Sequence, residues 1–239
     1  MSPEEIQERL HNLEQQIINS YKHASILDDV CTLQPVTPSY QRGEFTQFAN
    51  RFEIERGHIL DGTYMIISEL GLEVARSEIS LLIDEFTKQS PSKKIKKFSI
   101  VEIAIAVQHL ESYHYKPTVI FIPKEYFEDV WEWNKKFLVP PSESWDHLAV
   151  NSVTILKVIY SSEYAKFNDI IITSQPSNIW RYRPDERTTD ERLTARFHWG
   201  DSDDPINTLL EIKTVFNFEI KPKEANVILK LPHSEGSEE

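Results

Sequence analysis

The chain has 239 residues, of which 40% are hydrophobic and 27% charged, and its formal net charge at pH 7 is −12. These proportions are typical of a soluble globular protein, and the length suffices for one large domain or two small ones. So acidic a chain is not expected to bind nucleic acid generally, because such binding depends on clustered lysine and arginine. The single cysteine, Cys31, excludes a disulfide within the chain and fits a reducing compartment.

The sequence also gives no sign of a membrane or secretory segment. Its apolar runs are short and broken by charges, so none is expected to span a bilayer. The first ten residues, MSPEEIQERL, are acidic and polar, which is the opposite of a secretory signal. We therefore expect a protein without a membrane partner.

The first segment predicts an amphipathic helix. Ser2 and Glu5 have the spacing of a capping box, and Pro3 occupies the first helical position between them. Apolar residues then recur at steps of three and four and form one stripe: Ile6, Leu10, Leu13, Ile17 and Tyr21. Residues 30–42 carry two prolines and no periodicity, which indicates an extended arm.

Residues 45–62 predict a strand with one apolar face and one charged face. The apolar face consists of Phe48, Phe52 and Ile54. Gly57 and the pair Asp61-Gly62 have turn chemistry, and residues 63–67 predict a second strand. Together these segments predict a two-stranded hairpin.

The middle of the chain predicts helices separated by one basic loop. Helical periodicity covers residues 70–86, with Gly71 as a weak point near its start, and residues 89–97 (QSPSKKIKK) form the basic loop. Ser99 and Glu102 have capping-box spacing and begin the next helix. A strand at 118–122 and a helix after Pro123 follow.

The rest of the chain is rich in predicted strands. A short turn of helix is expected around residues 145–150. Strands are expected near residues 153–160, 169–173, 178–183, 193–199, 207–220 and 225–231. This mixture of helices and strands without regular alternation predicts an α+β fold.

Motifs of enzymatic chemistry are absent from the sequence. The eight histidines include no HExxH or similar ligand spacing, and the six glycines include no phosphate-binding loop and no GxSxG motif. The acidic cluster at residues 201–204 lacks the glycine and distal glutamate of a calcium loop, so we interpret it as a solvated hairpin loop. The run KKIKK at residues 93–97 is interpreted as a solvated loop, with phosphate or partner contact as the alternative. We expect no enzyme, no cofactor and no metal site.

Taken in chain order, the predicted elements resemble the major capsid protein fold of tailed bacteriophages, which encapsulin shell proteins share. Two stretches carry the resemblance: residues 99–133, and residues 209–231, LLEIKTVFNFEIKPKEANVILKL. It implies an α+β fold with an N-terminal arm, a protruding β-hairpin (the E-loop), a spine helix, and peripheral and axial domains. The implied segments are the N-terminal helix and arm (1–36), the hairpin (37–67), the spine helix and peripheral domain (68–117), the axial domain (118–200), and the closing strands with an acidic tail (201–239).

The predicted hairpin is the candidate assembly site. A two-stranded ribbon is only marginally stable alone in water, so a protruding hairpin would need a neighbouring subunit to cover its aromatic side chains. Its mixed charges would fix the register against that neighbour. The hypothesised subunit interface consists of Arg42, Phe45, Phe48, Arg51, Phe52 and Ile54. The alternative is a hairpin that folds back on the core of its own subunit.

The resemblance implies a structural protein: a self-assembling icosahedral shell subunit, most similar to a phage-type major capsid protein that encloses DNA without sequence-specific contact. Its partners would be further copies of itself and scaffolding or portal proteins, and its location the virion, assembled in the host cytoplasm. One alternative is an encapsulin, which holds cargo protein through short peptides docked near its N-terminal helix. The other is an unrelated small cytosolic enzyme or binding domain, in which a pocket is lined by Tyr126, Trp131, Trp133 and Trp145.

Overall fold

A computed structural model describes residues 2–24, 30, 32–35, 46–61, 65–136, 146–151, 153–162, 166–175, 178–182, 193–199, 207–220 and 222–232. The chain forms two compact units. Unit 1 consists of Met1–Ser25, Leu33–Glu78 and Trp180–Asn217, and unit 2 of Ile26–Thr32, Ile79–Ile179 and Phe218–Glu239. Within the described ranges, no helix combines the length and apolar character needed to cross a membrane.

The described elements are both helical and extended. The helices are α1 Pro3–Ala24, α2 Arg56–Asp61, α3 Met65–Gln89, α4 Ile100–Ser112 and α5 Phe127–Lys136, with 3₁₀ turns at Lys124–Tyr126 and Lys223–Ala225. The strands are β1 Thr32–Pro35, β2 Thr46–Glu55, β3 Ser92–Lys94, β4 Lys116–Ile122, β5 His147–Ala149, β6 Ile155–Tyr160, β7 Ile170–Gln175, β8 Asn178–Tyr182, β9 Thr194–His198, β10 Asn207–Ile220 and β11 Asn226–Lys230.

Unit 1 is built on a five-stranded sheet with the order β1-β8-β10-β2, in which β9 also pairs with β10. β2 and β10 are antiparallel from the pair Asn207 and Glu55 to the pair Phe216 and Thr46. The helix α1 begins with the predicted capping box: Ser2 N donates to Glu5 Oε2 at 2.6 Å, and Glu5 N donates to Ser2 Oγ at 3.2 Å. These bonds satisfy N–H groups that a helix start otherwise leaves without partners.

The core of unit 1 contains the apolar stripe of α1. The stripe packs with side chains from α2, α3 and the sheet, among them Leu10, Leu13, Ile17, Tyr21, Ile59, Val74, Leu210 and Ile212. Glu78 of α3 is buried here, and its carboxylate accepts hydrogen bonds from the hydroxyls of Tyr21 at 2.7 Å and Thr214 at 3.2 Å. These two bonds join α1, α3 and β10, and they satisfy polar groups that would be costly to bury alone.

Unit 2 is built on a six-stranded sheet with the order β3-β11-β7-β4-β6-β5. Both α4 and α5 contribute to its core, and Ser99 caps α4 by accepting a hydrogen bond from Val101 N at 3.2 Å. The core residues of unit 2 include Ile103, Val107, Leu110, Ile120, Ile122, Val130, Leu156, Val158, Ile170, Ile172 and Leu229. Phe121 lies between Ile120 and Ile122 on β4. The centroid of its ring is 6.0 Å from that of Phe86 and 5.7 Å from that of Phe167.

Four local predictions are wrong. Of the predicted strand at residues 63–67, residues 65–67 are helical because α3 begins at Met65, and residues 63 and 64 lie outside the described residues. Gly57 lies inside α2 instead of a turn. Residues 147–149 form β5 instead of a helical turn, because they pair with β6 and bury Leu148. The basic loop contains β3, which pairs in parallel with β11. For β5 and β3, pairing with a neighbouring strand outweighs local propensity.

Most of the remaining elements are confirmed. The predicted helices of residues 3–21, 70–86 and 99–112 and the strands from residue 153 onward lie in the expected places, within a few residues at their ends. The α+β class is likewise confirmed. The predicted division into five segments stays a prediction. Cys31, Trp145 and the acidic cluster at residues 201–204 lie outside the described residues.

Candidate assembly surface and groove of unit 1

The helix α1 is attached to the edge of the sheet by one carboxylate. Glu14 Oε1 accepts a hydrogen bond from the backbone N–H of Phe197 on β9 at 2.8 Å. Arg9 Nη1 donates to the carbonyl oxygens of Ile59, at 3.4 Å, and Leu60 at the end of α2. Because all three bonds involve backbone groups, they fix where α1 lies on unit 1.

A groove of about 750 Å³ lies between the first half of α1 and β9. Its apolar lining consists of Ile6, Leu10, Phe197 and Trp199. Leu10 is only 6% exposed and belongs to the core, whereas Ile6, Phe197 and Trp199 are half-buried and pack against it. Grooves of this size with mainly apolar walls suit an apolar ligand or an apolar stretch of peptide.

The charges along this groove are mainly acidic. Glu4 and Glu14 line it together with His11, whose Nδ1 lies 3.9 Å from Glu14 Oε2. Burial raises the pKa of Glu14 above its usual 4.5, while the hydrogen bond from Phe197 and the neighbouring His11, Arg196 and His198 offset part of that rise. The partly buried carboxylate of Glu14 therefore holds its proton more tightly than a solvated one does.

The predicted interface residues are only partly within the described structure. Arg42 and Phe45 lie outside the described residues, and Phe48 lies in β2, but its side chain is not among those described. Arg51 is on the exposed side of β2, where its Nη2 lies 3.1 Å from Glu211 Oε1 on β10. The side chains of Phe52 and Ile54 pack against the core of unit 1.

The strand β2 therefore has one face toward its own unit and one face outward. Its apolar side chains Phe52 and Ile54 already have partners in unit 1, while 70% of the Arg51 side chain is exposed. The register of β2 against β10 produces this division, since it places Arg51 directly opposite Glu211 and Phe52 opposite Leu210. Contact of the predicted interface residues with another subunit stays a prediction.

Three of the four aromatic residues of the alternative pocket are described, and they lie in two separate places. Tyr126 and Trp133 stack on Phe98, with ring centroids 4.0 and 4.9 Å away. Trp131 lines a separate cavity of about 420 Å³ with Phe127. Trp145 lies outside the described residues, and within them no group of three histidine, cysteine, aspartate or glutamate side chains is placed to hold a metal ion.

Sequence reasoning missed the groove. The alternation of Phe197 and Trp199 in a predicted strand was a visible signal of one aromatic face. Nothing local indicates that this face lies beside α1, since Glu14 and Phe197 are 183 residues apart in the chain. A long-range contact of this kind has no sequence signature without related sequences.

No protein-family model matches the chain, and no curated protein matches it. Solved structures do match it over most of its length. The chain has the fold of the shell proteins found in phage capsids, a gene transfer agent capsid and encapsulins. The predicted phage-capsid-type fold is therefore confirmed.

Three of these structures illustrate the match. A virus-like particle from Pyrococcus furiosus is 15% identical, with a TM-score of 0.65 over 92% of this chain and 99% of that one. The capsid of Cyanophage P-SCSP1u is 9% identical, with a TM-score of 0.58 over 88% of this chain and 89% of that one. The holo-SrpI encapsulin complex from Synechococcus elongatus is 10% identical, with a TM-score of 0.57 over 86% of both chains.

Proposed function

We propose that this chain is a self-assembling subunit of a closed icosahedral protein shell and has no enzymatic activity. The observation that carries the proposal is the fold, which matches proteins of capsids, encapsulins and a virus-like particle over nearly the whole chain. The match leaves almost no part of the chain for a separate catalytic domain, since it covers 92% of the chain in one case. Such a subunit acts through many weak, symmetric contacts that add up to a closed container.

Negative-stain electron microscopy of the purified protein, expressed without other components, tests this proposal. We expect closed round particles of uniform size, or the pentameric and hexameric rings from which they assemble. Particles that form only after a scaffolding protein is co-expressed would also support a shell subunit. A uniform field of single small molecules, with or without such a partner, would overturn the proposal.

The first candidate for the content of the shell is DNA, as in a phage-type major capsid protein. The net charge of −12 supports an inner wall that does not adhere to nucleic acid, so the genome would be enclosed without sequence-specific contact. In this case the protein belongs to a virion, assembled in the host cytoplasm with scaffolding or portal proteins. Native particles should contain DNA, while particles from a heterologous host should have the absorbance ratio of protein alone.

The second candidate is an encapsulin, and the groove beside α1 is the observation that favours it. The groove is apolar, about 750 Å³ in volume, and bordered by the first turns of the N-terminal helix. A short apolar peptide at the end of a cargo protein would fit such a site. Native particles that contain one enzyme instead of DNA would support this candidate.

Variants on α1 test the groove as a cargo site. Ile6 is half-buried in the groove wall, so Ile6→Asp should release cargo and leave the shell intact. Leu10→Asp is unsuitable, because Leu10 is 6% exposed and its change would destabilise unit 1. Asn12→Asp, on the exposed face of α1, is the matched control for the added charge and should retain cargo. Retention of cargo by both variants would contradict the assignment.

A further inference from the structure

One edge of the sheet in unit 2 carries an exposed basic segment, residues 93–97. β3 is the edge strand, and among the described strands it pairs with β11 alone. The segment is held firmly, because Ile95 is 6% exposed and its N–H donates to the carbonyl oxygen of Lys230 at 2.9 Å. Lysines on an edge strand also discourage unwanted strand pairing, so their presence alone does not identify a partner.

The lysines of this segment differ in their partners. Lys93 Nζ lies 2.9 Å from Glu102 Oε2 on α4, so its charge is matched within the unit. Lys94, Lys96 and Lys97 are exposed, and none of them forms an ion pair within the described residues. Three ammonium groups on a rigid backbone are thus available to a partner.

The opposite edge of the same sheet is covered by α5. β5 is the edge strand there, and Asn134 of α5 joins it through two bonds. Asn134 Nδ2 donates to the carbonyl oxygen of His147 at 2.5 Å, and Asn134 Oδ1 accepts from Ala149 N at 3.1 Å. Four strands lie between β3 and β5, which corresponds to roughly 24 Å at about 4.8 Å per strand.

The outer flank of α5 forms an aromatic and acidic cup, lined by Phe127, Glu128, Trp131 and Glu132, with a volume of about 420 Å³. Phe127 is 39% exposed, and its ring lies 5.2 Å from that of Tyr160. The cup already holds one ammonium group, because Lys135 Nζ lies 5.6 Å from the Trp131 ring and 2.6 Å from Glu132 Oε1. Glu128 is exposed and has no ion pair in the described part of the chain, so its negative charge can pair with a second cation in the cup.

The basic segment and the cup are separated within one subunit by α5 itself. Phe98, which follows the basic segment, stacks on Tyr126 and Trp133. Trp133 and Trp131 are two positions apart on the helix and therefore project about 200° from each other. The flank of α5 that faces the basic segment is thus closed by Phe98, and the cup is open on the other flank.

We propose that the basic segment of one copy docks into the cup of the next copy in the assembled shell, an inference that rests on the proposed shell function. Lysine ammonium groups bind to aromatic faces and carboxylates together, and the cup offers both. Two different patches on opposite flanks of α5 give a head-to-tail contact, and such contacts repeat around a ring until it closes. The docked pair would therefore hold neighbouring subunits around a ring of the shell.

Charge reversal with rescue tests this contact. The first variant reverses the basic segment and carries Lys94→Glu, Lys96→Glu and Lys97→Glu in one chain. The second reverses the cup and carries Glu128→Lys and Glu132→Lys. Each variant should abolish the megadalton species seen by light scattering. The two sets combined in one chain should restore the species, because the contact is then reversed as a whole. The control variant changes three exposed lysines elsewhere, Lys22→Glu, Lys88→Glu and Lys223→Glu. It has the same change in net charge as the variant of the basic segment, and it should assemble.

Crosslinking provides an independent measurement of the same contact. In a Cys31→Ser background, Lys96→Cys with Glu128→Cys should give an oxidative ladder that ends at the ring size, while each cysteine alone gives monomers. Dimers from a single cysteine variant would indicate a symmetric contact and overturn the proposal. Assembly that survives either reversal, or that the combined set does not restore, would also overturn it. If the unaltered chain never assembles, the proposed shell function fails instead.

Discussion

The backbone of Gly71 in α3 lies directly against the backbone of Ile17 in α1. A Cβ atom at residue 71 would clash with the Ile17 carbonyl oxygen and lie 2.9 Å from Tyr21 N. The obstacle is main chain, which cannot rotate away as a side chain can. The glycine that looks like a weak point in the helical pattern is therefore the residue that lets α1 and α3 approach closely.

We expect Gly71→Ala to destabilise unit 1 by about 1–3 kcal/mol, the usual cost of overpacking, although alanine favours helix elsewhere. Gly57→Ala is the matched control, because Gly57 also lies in a helix but has nothing within 4 Å of an added Cβ. It should be neutral or stabilising by up to about 1 kcal/mol. Urea unfolding of both variants measures this, and equal stabilities would contradict the close contact.

The carboxyl of Glu14 should make the stability of unit 1 depend on pH. Burial raises its pKa in the folded state above the usual 4.5, so folding favours the protonated form. The stabilisation that the protonated Glu14 gives to the folded state is therefore fully present below pH 4.5. It is lost as the pH rises through the raised pKa of Glu14 in the folded state.

Glu14→Gln tests this direction of the pH dependence, since the amide oxygen can still accept a hydrogen bond from Phe197 N–H. The variant should be more stable than the parent at pH 7, and the difference should shrink as pH falls toward 4.5. Glu8→Gln, on the exposed face of α1, is the control for the loss of one charge. A difference that is constant or grows on acidification would show that Glu14 is not held in this way.

Two of the three phenylalanines of the predicted interface, Phe45 and Phe52, should behave differently. Phe52 packs against the core of unit 1, so Phe52→Asp should lower the free energy of unfolding by at least about 2 kcal/mol. Phe45→Asp is predicted from the sequence to block assembly and leave the subunit folded. Circular dichroism and size exclusion of the two single variants separate these outcomes. An unfolded Phe45→Asp variant would place that residue in its own core as well.

Shells of this protein should be held together without covalent bonds. Some of the phage capsid proteins that the sequence resembles link subunits by an isopeptide bond from a lysine of the protruding hairpin, whereas residues 41–62 of this chain contain no lysine. Boiled, reduced particles should therefore give a single band at the mass of one chain on a denaturing gel. A ladder of covalent oligomers under these conditions would identify a different lysine as the donor and contradict the prediction.

Local signals predicted the parts of the fold that local chemistry determines. The capping residues Ser2, Glu5 and Ser99 mark helix starts that the structure confirms, because the bonds involved span only two or three residues. The long strand β10 was predicted at residues 207–220, where alternation and β-branched residues agree.

Contacts between distant segments decided the rest. The strand β5 at residues 147–149 forms because it pairs with β6, which no local signal indicates. The groove depends on Glu14 meeting Phe197, and the separation of the basic segment from the cup depends on Phe98 stacking on Tyr126 and Trp133. Contact of the predicted interface residues with another subunit stays a prediction that rests on the family resemblance, because no sequence property of Phe52 shows whether it packs in its own core or against a partner.

The mass of the purified protein in solution tests the central claim most directly. Multi-angle light scattering across a range of concentrations measures it without assumptions about shape. We predict a megadalton species of narrow size distribution, or discrete rings that convert to it when concentration rises or a scaffolding partner is added. A single mass equal to one chain at every concentration, unchanged by any such partner, would contradict the assignment of this protein as a shell subunit.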